Sequence, residues 1–152
     1  MTDLEYAREF FAKDLYATAT TGIIIEESSQ GHSRISLKTD ERHKNALGYI
    51  MGGVYMTMAD FAFAVASNFN NPSTVTLQTS ASFLSAARGS ILYATADLTH
   101  DGSRTCVYDI NITDECGTDI AHFVTNGYKI RSKNEKTPEE RAEIENPFLR
   151  FR

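Results

Sequence analysis

The sequence predicts an α+β fold in which one curved antiparallel β-sheet wraps around a single central helix. The first observation is that residues 54–68, VYMTMADFAFAVASN, are apolar on nearly every helical face, which is typical of a buried helix. The second is that the segments around this helix, which is expected at about residues 53–67, alternate apolar and polar residues with the period of a β-strand. One buried helix beside several such strands favours a single sheet curled around it.

The first part of the chain is predicted to form a helix and a hairpin. An apolar stripe at helical spacing runs through residues 3–18, so an amphipathic helix is expected there. The stripe consists of Leu4, Ala7, Phe11 and Leu15. Residues 22–39 then read as two strands on either side of the turn Ser29-Gln30-Gly31.

Strands dominate the second half of the chain. Alternating patterns separated by turns predict four of them. These segments are residues 75–83, 92–98, 106–113 and 119–130. In the first, strict alternation places Val75, Leu77 and Thr79 on one face and Thr76 and Gln78 on the other.

Length and charge narrow the classes of function. The 152 residues are expected to form one domain over 1–152, with a charged tail over about 132–152 that holds a short helix near Pro138 or is partly disordered. The net charge of −5 argues against a broad nucleic-acid-binding face, which needs a basic surplus. An anionic ligand would require a local basic cluster or backbone N–H groups.

Neither a membrane nor a metal is expected. The longest apolar run, residues 52–67, is interrupted by Asp60 and is shorter than the roughly 18 residues of a membrane span. The N-terminal residues have no apolar core stretch and do not read as a signal peptide. Cys106 and Cys116 form neither a disulfide framework nor a metal-binding spacing, so a reducing cytoplasm is expected. The scattered histidines have no ligand spacing, so no metal is expected.

Asp60 is the most informative candidate for chemistry. It is the only ionisable residue in a helix that otherwise reads as core, where an ionised carboxylate is costly unless it is paired, hydrogen-bonded or protonated. A carboxylate in apolar surroundings tends to have a raised pKa, which suits a general base. A structural role remains open, in which Asp60 caps a neighbouring element or pairs with an arginine.

The start of the same helix is a second candidate. Gly52-Gly53 would let a ligand approach the unpaired N–H groups and the positive dipole end of the helix, where a carbonyl oxygen can bind. The pair could equally be a tight turn into the helix. Asn45, in the preceding loop, could donate a hydrogen bond to a carbonyl through its side-chain amide, or could be an ordinary turn residue.

Other residues give weaker signals. Arg88 and Arg104 each lie in a glycine-containing segment and could bind phosphates, or could be solvated turn residues. His43 lies in a charged loop, where a histidine is more often solvated than catalytic. A serine nucleophile has little support, because the sequence has no Gly-x-Ser-x-Gly elbow.

Taken in order, these residues resemble a known family, the PaaI-like (phenylacetate-degradation type) hotdog thioesterases. The signature of that family is H-x-N-x-x-G-x-x-H-G-G, followed within the helix by A-D, with F-L-R-P-A and G-R-R-T-like segments further on. The matching segments here are His43-Lys44-Asn45, Gly48, Met51-Gly52-Gly53, Ala59-Asp60, Phe83-Leu84-Ser85-Ala86-Ala87 and Gly102-Ser103-Arg104-Thr105. The resemblance extends over about residues 22–130.

The resemblance implies a hotdog fold and hydrolysis of acyl-CoA thioesters without a metal or prosthetic group. It implies a homodimer or a dimer of dimers with active sites at the subunit interface. Asp60 would be the general base or the nucleophile, and Thr76 would help to orient water. Asn45 and the Gly52 N–H, from the other subunit, would hold the thioester carbonyl. The residues expected to contact substrate are Gly53, Met51, His43, Arg88 and Arg104.

Two departures from the family pattern bear on substrate contacts. Met51 replaces the histidine before Gly-Gly and cannot donate a hydrogen bond. Ser85 replaces the arginine of F-L-R-P, whose contact with the CoA phosphates Arg88 would take over.

Three alternatives remain at this point. The loss of a polar group at Met51 keeps open a non-catalytic module that binds acyl-CoA or a fatty ligand. A dehydratase would pair a histidine with the helix carboxylate, and no histidine lies in or next to this helix. The hypothesis that Asp60 is purely structural is weakened, because the other site residues occur together with it in the sequence. The acyl group stays undetermined. The candidates to line its pocket are Tyr49, Met51, Tyr55, Phe61 and Phe63.

Overall fold

The structure, a computed structural model, describes residues 1–69 and 73–130. Within these residues, a six-stranded antiparallel sheet wraps around one long helix, which confirms the predicted α+β class. The helices are α1 (Asp3–Phe11) and α2 (Gly52–Ser67). The strands are β1 (Ile24–Ser29), β2 (His32–Lys38), β3 (Thr74–Phe83), β4 (Ile91–Asp101), β5 (Thr105–Asp114) and β6 (Asp119–Lys129).

The spatial order of the strands is β1-β2-β4-β5-β6-β3, so β3 leaves its neighbours in sequence and forms an edge. One row of paired residues crosses the sheet under α2, from Ile35 through Ala94, Ile112 and Ala121 to Phe83. The first four are buried, whereas Phe83 is 54% exposed. The cover that α2 provides therefore ends at β3, and this edge of the concave face is open.

The packing of α2 on the sheet forms the centre of the core. Phe63 is fully buried and meets the ring of Tyr108 edge-on, with ring centroids 5.3 Å apart. Phe63 also lies so close to Gly127 of β6 that a Cβ there would come within 2.7 Å of the ring. Such close packing between helix and sheet fixes the rotation of α2 about its axis, and therefore decides which of its residues face outward.

An exposed stripe runs along α2, although the sequence predicted a helix buried on all sides. Gly53, Met56 and Asp60 are exposed, and Met51 is exposed immediately before the helix begins. These positions lie on the side that the sheet does not cover. The expectation of complete burial is wrong, because the sheet leaves one side of α2 uncovered.

The N-terminal helix is shorter than the predicted 3–18. Helix α1 is closed at its start by a capping box between Thr2 and Glu5, and it ends at Phe11. A π-helical segment, Tyr16–Thr21, follows after a turn. The hydroxyl of Thr21 donates to the carbonyl oxygen of Tyr16 at 2.8 Å. Threonine side chains that bond to nearby carbonyls compete with α-helical geometry, which explains the irregular second half.

A β-bulge interrupts β3. Thr76 pairs with Gly127 and Gln78 pairs with Asn126, so Leu77 is the extra residue. Thr76 and Thr79 therefore lie on the same face of the sheet, toward α2, although strict alternation had placed them on opposite faces. That part of the predicted pattern is wrong.

Some expectations lie outside the described residues, namely the charged tail over about 132–152 and its short helix near Pro138. Within residues 1–69 and 73–130, no helix is long and apolar enough to cross a membrane. The same part of the chain contains no group of three or more His, Cys, Asp or Glu side chains that could hold a metal ion.

Candidate active site

Asp60 lies in the middle of α2, on its exposed stripe. Its Oδ1 accepts a hydrogen bond of 3.1 Å from the hydroxyl of Thr76, and Oδ2 has no partner among the described residues. The position of Asp60 in an apolar helix suggested a carboxylate enclosed in the core. In the structure the residue is exposed instead. It is held by one neutral donor and keeps one oxygen free to accept a proton.

A cleft of about 300 Å³ opens beside this carboxylate. We call it the Asp60 cleft; it is lined by Tyr16, Met56, Thr57, Ala59, Asp60, Thr79, Phe123 and Thr125. The hydroxyls of Thr79 and Thr125 are 2.7 Å apart and bond to each other. Because these hydroxyls satisfy one another, the lining presents mostly apolar surface to a ligand.

The bulge at Leu77 explains how β3 supplies both threonines. Without the extra residue, turning Thr76 toward Asp60 would turn Thr79 to the outer face. The edge strand therefore contributes one side chain that orients the carboxylate and another that lines the cleft. Alternation alone could not have placed both.

The first turn of α2 offers unused donors. Gly52 is the first residue of the helix, and Met51 is the N-cap without a side-chain cap bond. The N–H groups of Gly52 and Gly53 donate to no group within the described part of the chain. Backbone donors at a helix N-terminus can bind a carbonyl oxygen that gains negative charge.

Gly52 and Asp60 of one chain cannot act on the same atom. They lie eight residues apart on α2, which corresponds to about 12 Å along the axis at 1.5 Å per residue. A thioester carbonyl bound at the helix start would be out of reach of the carboxylate in the same chain. The carboxylate and the donors can meet only if a second copy supplies one of them.

The loop before α2 is held by two side chains that the sequence had assigned to substrate. Asn45 accepts hydrogen bonds through Oδ1 from the N–H groups of Leu47 and Tyr49, at 3.0 and 3.1 Å. Its side chain therefore fixes the turn, and its NH₂ group is left free within the described residues. The predicted contact of Asn45 with a carbonyl stays a prediction.

His43 is buried rather than solvated, which corrects the expectation from its charged surroundings. Its Nδ1 accepts from the N–H of Asp40 at 2.9 Å, and Nε2 lies 2.7 Å from the carbonyl oxygen of Thr21. With Nδ1 as acceptor, Nε2 must carry the proton and donate to Thr21. Both ring nitrogens are thus occupied, and His43 ties the loop before α2 to the π-helical segment.

Met51 lines a second cleft, of about 370 Å³, on the other side of Tyr16. We call it the Met51 cleft; it is lined by Tyr16, Thr20, Thr21, Arg42, His43, Met51, Gly53, Val54 and Thr57. Of the other residues considered for an acyl pocket, Phe61 and Phe63 are buried in the core. Tyr49 and Tyr55 line a third and wider cleft of about 690 Å³, together with Arg88.

The two candidate arginines lie far apart in one chain. Arg88 is exposed just before β4, and Arg104 is exposed just after it. Strand β4 has 11 residues, so its ends are on the order of 30 Å apart. Arg88 and Arg104 of one subunit therefore cannot grip the same phosphate group.

A carboxylate that the sequence did not single out fixes the segment that carries Arg88. Asp114, buried at the end of β5, accepts hydrogen bonds from the N–H groups of Arg88, Gly89, Cys116 and Thr118 at 2.8–3.0 Å. Burial opposes ionisation, but the backbone donors outweigh it and hold the pKa of Asp114 well below its usual range. Its place in the turn Asp114-Glu115-Cys116-Gly117 was the available signal.

Comparison with known proteins agrees with this architecture. A family model described as "Thioesterase superfamily" matches residues 47–121, a range that includes α2 and β3 to β5. The acyl-coenzyme A thioesterase PaaI of Escherichia coli (strain K12) is 30% identical over 125 residues, which is 82% of this chain and 89% of that protein. The 1,4-dihydroxy-2-naphthoyl-CoA hydrolase of Listeria monocytogenes serotype 1/2a is 31% identical over 99 residues, 63% of this chain and 80% of that protein.

The fold comparison gives the same result. The structure of the E. coli PaaI protein from the phenylacetic acid degradation operon superposes with a TM-score of 0.72 and 26% identity, over 85% of this chain and 97% of that one. A curved antiparallel sheet around one helix, with this family match, defines a thioesterase of the hotdog fold. The chain belongs to the PaaI-like family of these enzymes, as the resemblance of its motifs implied.

Proposed function

We propose that this protein hydrolyses acyl-CoA thioesters at sites shared between two copies of the chain, with Asp60 as the general base. The observation that carries the proposal is the Asp60 carboxylate itself. It is oriented by the Thr76 hydroxyl, keeps one oxygen free and borders an apolar cleft. The two relatives described above are named as hydrolases of CoA thioesters, which supports this class of substrate.

The reaction needs one water molecule and one proton acceptor. The free Oδ2 of Asp60 takes a proton from water as the oxygen of that water bonds to the thioester carbonyl carbon. The C–S bond then breaks, and the sulfur leaves as a thiolate that takes up the proton. The products are a carboxylic acid and CoA thiol. The Thr76 hydroxyl holds Oδ1, and Oδ2 is left without a partner among the described residues, in a carboxylate that lines the cleft.

The N–H groups at the start of α2 would stabilise the negative charge that develops on the carbonyl oxygen. The separation of Gly52 from Asp60 along one helix supports a site in which the second copy supplies these donors. Asn45, whose NH₂ group is free beside the same helix start, would add a side-chain donor. Each pair of copies would thus form two equivalent sites, in which the helix start of each chain faces the carboxylate of the other.

The exposed edge of the sheet supports a homo-oligomer. Both faces of β3 are open along most of its length, and Val75, Leu77 and Phe83 are exposed there. An edge strand with unpaired backbone groups and large apolar side chains is a template for pairing with another strand. Pairing with a second copy would cover these side chains and bring the two α2 helices together.

The CoA part of the substrate would run toward the cleft that contains Arg88. This cleft has the largest volume of the three described. Lys44 and Arg88 line it together with the carboxylates of Asp40, Glu41 and Glu115, and Lys44 is paired with Glu41, so Arg88 is the candidate cation for a CoA phosphate. The carboxylate of Asp114 fixes the backbone of Arg88 and Gly89, so the guanidinium is carried on a rigid segment. Arg104 lies at the opposite end of β4. It would reach a CoA molecule bound near Arg88 only if that Arg88 belonged to a different copy of the chain.

The experiment is a screen of purified protein against a panel of acyl-CoAs, with released thiol as the readout, and with Asp60→Asn beside wild type. The variant is nearly isosteric and keeps the acceptor for Thr76 but removes the base, so turnover should fall about 10²–10⁴-fold while folding and oligomeric state are kept. Full activity in Asp60→Asn would remove Asp60 from the role. Tight binding without thiol release from any acyl-CoA would refute hydrolysis and favour a ligand-binding module.

A further inference from the structure

Tyr16 stands between two clefts. The Asp60 cleft and the Met51 cleft share two lining residues, Tyr16 and Thr57. Thr57 is part of α2, and its hydroxyl is bound to the carbonyl oxygen of Gly53 at 2.9 Å. Tyr16 comes from a different part of the chain, and its side chain lies against both clefts. Tyr16 is therefore shared by the space beside the carboxylate and the space beside the helix start, and it lies where the two clefts adjoin.

The position of Tyr16 is fixed by the segment that carries it. Gly22 and Ile23 donate their N–H groups to the carbonyl oxygen of Ala17 at 3.1 and 3.0 Å, which closes the π-helical turn. Ala17 and Thr21 are buried and anchor the segment to the core. The imidazole of His43 binds the carbonyl oxygen of Thr21, so the segment is also tied to the loop before α2.

No structural need accounts for an aromatic residue at this position. Tyr16 is 69% exposed, and its ring forms none of the aromatic pairs found among residues 1–69 and 73–130. Its hydroxyl has no hydrogen-bond partner in the same part of the chain. A large exposed side chain on an anchored backbone segment, which lines a cleft without packing in the core, is suited to contact a ligand.

We propose that Tyr16 determines acyl-group specificity, and that its ring closes the far end of the Asp60 cleft and limits the size of the acyl group that fits. This rests on the proposed thioesterase function. Met56, Ala59 and Phe123 give the cleft apolar walls. A small acyl group would fill the cleft up to the ring of Tyr16. A longer one would need the space on the other side, in the Met51 cleft.

The test uses Tyr16→Ala, Tyr16→Phe and Leu15→Ala. Leu15 is the matched control, because it is 64% exposed, precedes Tyr16 in the same segment and lines neither cleft. Values of kcat/KM are measured for straight-chain acyl-CoAs of increasing length. Dissociation constants are measured in parallel for the corresponding S-alkyl-CoA thioethers, which cannot be hydrolysed.

We expect Tyr16→Ala to join the two clefts and to raise the preference for long over short chains by about tenfold or more, in both kcat/KM and thioether binding. Tyr16→Phe and Leu15→Ala should keep the wild-type profile. Because Tyr16 is exposed in the single chain, the substitutions should leave the melting temperature nearly unchanged, and the oligomeric state of each variant is measured beside wild type.

Two results would overturn the role of Tyr16. One is a Tyr16→Ala variant whose kcat/KM and thioether binding change by the same factor at every chain length. The other is a Tyr16→Phe variant with the altered profile of Tyr16→Ala, which would assign the effect to the hydroxyl and not to the ring. Failure of the proposed function is a separate result: wild type would hydrolyse no acyl-CoA, while the thioether series would still report whether Tyr16 limits size.

Discussion

The hydroxyl of Thr76 on β3 donates to the carboxylate of Asp60 on α2 at 3.1 Å, and so joins the edge of the sheet to the middle of the helix. This contact depends on the bulge at Leu77, because the bulge sets which side chains of β3 face the helix. The orientation of the proposed base is therefore a property of the edge strand as much as of the helix. Four predictions concern this site and the elements that hold it, and a fifth concerns the fold.

Removal of the Thr76 hydroxyl should lower turnover with little change in stability. Thr76→Val keeps the branched shape at an exposed strand position but cannot donate to Asp60. We expect kcat to fall about tenfold through misorientation of the base, with KM nearly unchanged. Thr76→Ser should recover most of the loss. A Thr76→Val variant with wild-type kcat would show that the hydroxyl does not position the carboxylate.

Removal of a single backbone N–H donor at the start of α2 should lower activity without impairing folding. Gly52 is the first residue of α2, where proline is well tolerated, and Met51 has φ −64° and ψ 137°, a conformation favoured before proline. Gly52→Pro therefore deletes one N–H at small cost to the helix. We expect kcat to fall about 10²–10³-fold, the usual effect of losing an oxyanion donor.

Gly52→Ala is the control for this change. It keeps the N–H, and the added Cβ would meet the ring of Phe83 at an ordinary 3.7 Å. Kinetics and thermal unfolding of both variants give the comparison. An equal loss of activity in Gly52→Ala and Gly52→Pro would indicate crowding of the site and not loss of the donor.

Two inactive variants should complement each other if the site is shared. When Asp60→Asn and Gly52→Pro chains are co-expressed, a mixed dimer has one site with both residues intact and one site with neither. Random pairing then restores about a quarter of wild-type activity. The measurement is thiol release by the purified mixture, with each variant alone as control. No recovery, in a mixture proven to contain mixed dimers, would contradict a site built from two copies.

The buried carboxylate of Asp114 should stabilise the fold in a pH-dependent manner. Asp114→Asn keeps one acceptor oxygen but loses the charge and the second acceptor, so we expect a loss of about 2–3 kcal/mol in the free energy of unfolding at pH 7. The pKa of Asp114 is lowered in the folded state, so the stabilisation is complete above the unfolded pKa, near 4. It should decrease as the pH falls below that value.

The control for this experiment is Asp109→Asn, on the same strand. Asp109 is half-exposed, and its recorded partner is His122, at 3.9 Å. Denaturant unfolding of both variants and of wild type at pH 7 and below pH 4 is the measurement. If the free energies of unfolding of wild type and Asp114→Asn differed by the same amount at every pH in this range, the negative charge of Asp114 would not contribute to stability.

Substitution of His43 should lower the stability of the fold and leave substrate binding nearly unchanged. Its two ring nitrogens join Asp40 to Thr21, so His43→Ala removes both hydrogen bonds and leaves a void where the buried imidazole was, at an expected cost of about 2–4 kcal/mol. His43→Gln, which can still reach the carbonyl of Thr21, should recover part of this loss. Thermal unfolding and KM are measured together. A higher KM at unchanged stability would instead support the predicted contact with substrate.

Much of the fold follows from local patterns in the sequence. The hairpin, the central helix and the antiparallel strands were predicted because period-two alternation and an apolar helical run are dictated by neighbouring residues. The end of α1 at Phe11 was missed because the apolar spacing continues through Leu15. The chain instead turns after Phe11, where the N–H of Asp14 donates to the carbonyl oxygen of Phe11 at 3.0 Å, and hydrophobic spacing does not report such a turn.

The candidate site was harder to place. The motifs identified Asp60 and Gly52, but not that Asp60 is exposed, because exposure depends on how far the sheet wraps around α2. The bulge at Leu77 could not be predicted either, since a bulge is a mismatch between two paired strands and β6 lies over 40 residues further along the chain. Tyr16 carries no motif, and only the tertiary structure brings it to the clefts.

The place of β3 in the sheet also sets the order in which the protein can assemble. β3 is synthesised third among the strands, yet the neighbour with which it pairs in the described part of the chain is β6, the last of the six. After β3 leaves the ribosome, it has no strand to pair with until β4, β5 and β6 have followed. The contact of Thr76 with Asp60 is therefore completed late, once a long loop has closed. The strand that positions Thr76 can therefore find its partner in the sheet only after the other five strands have been synthesised.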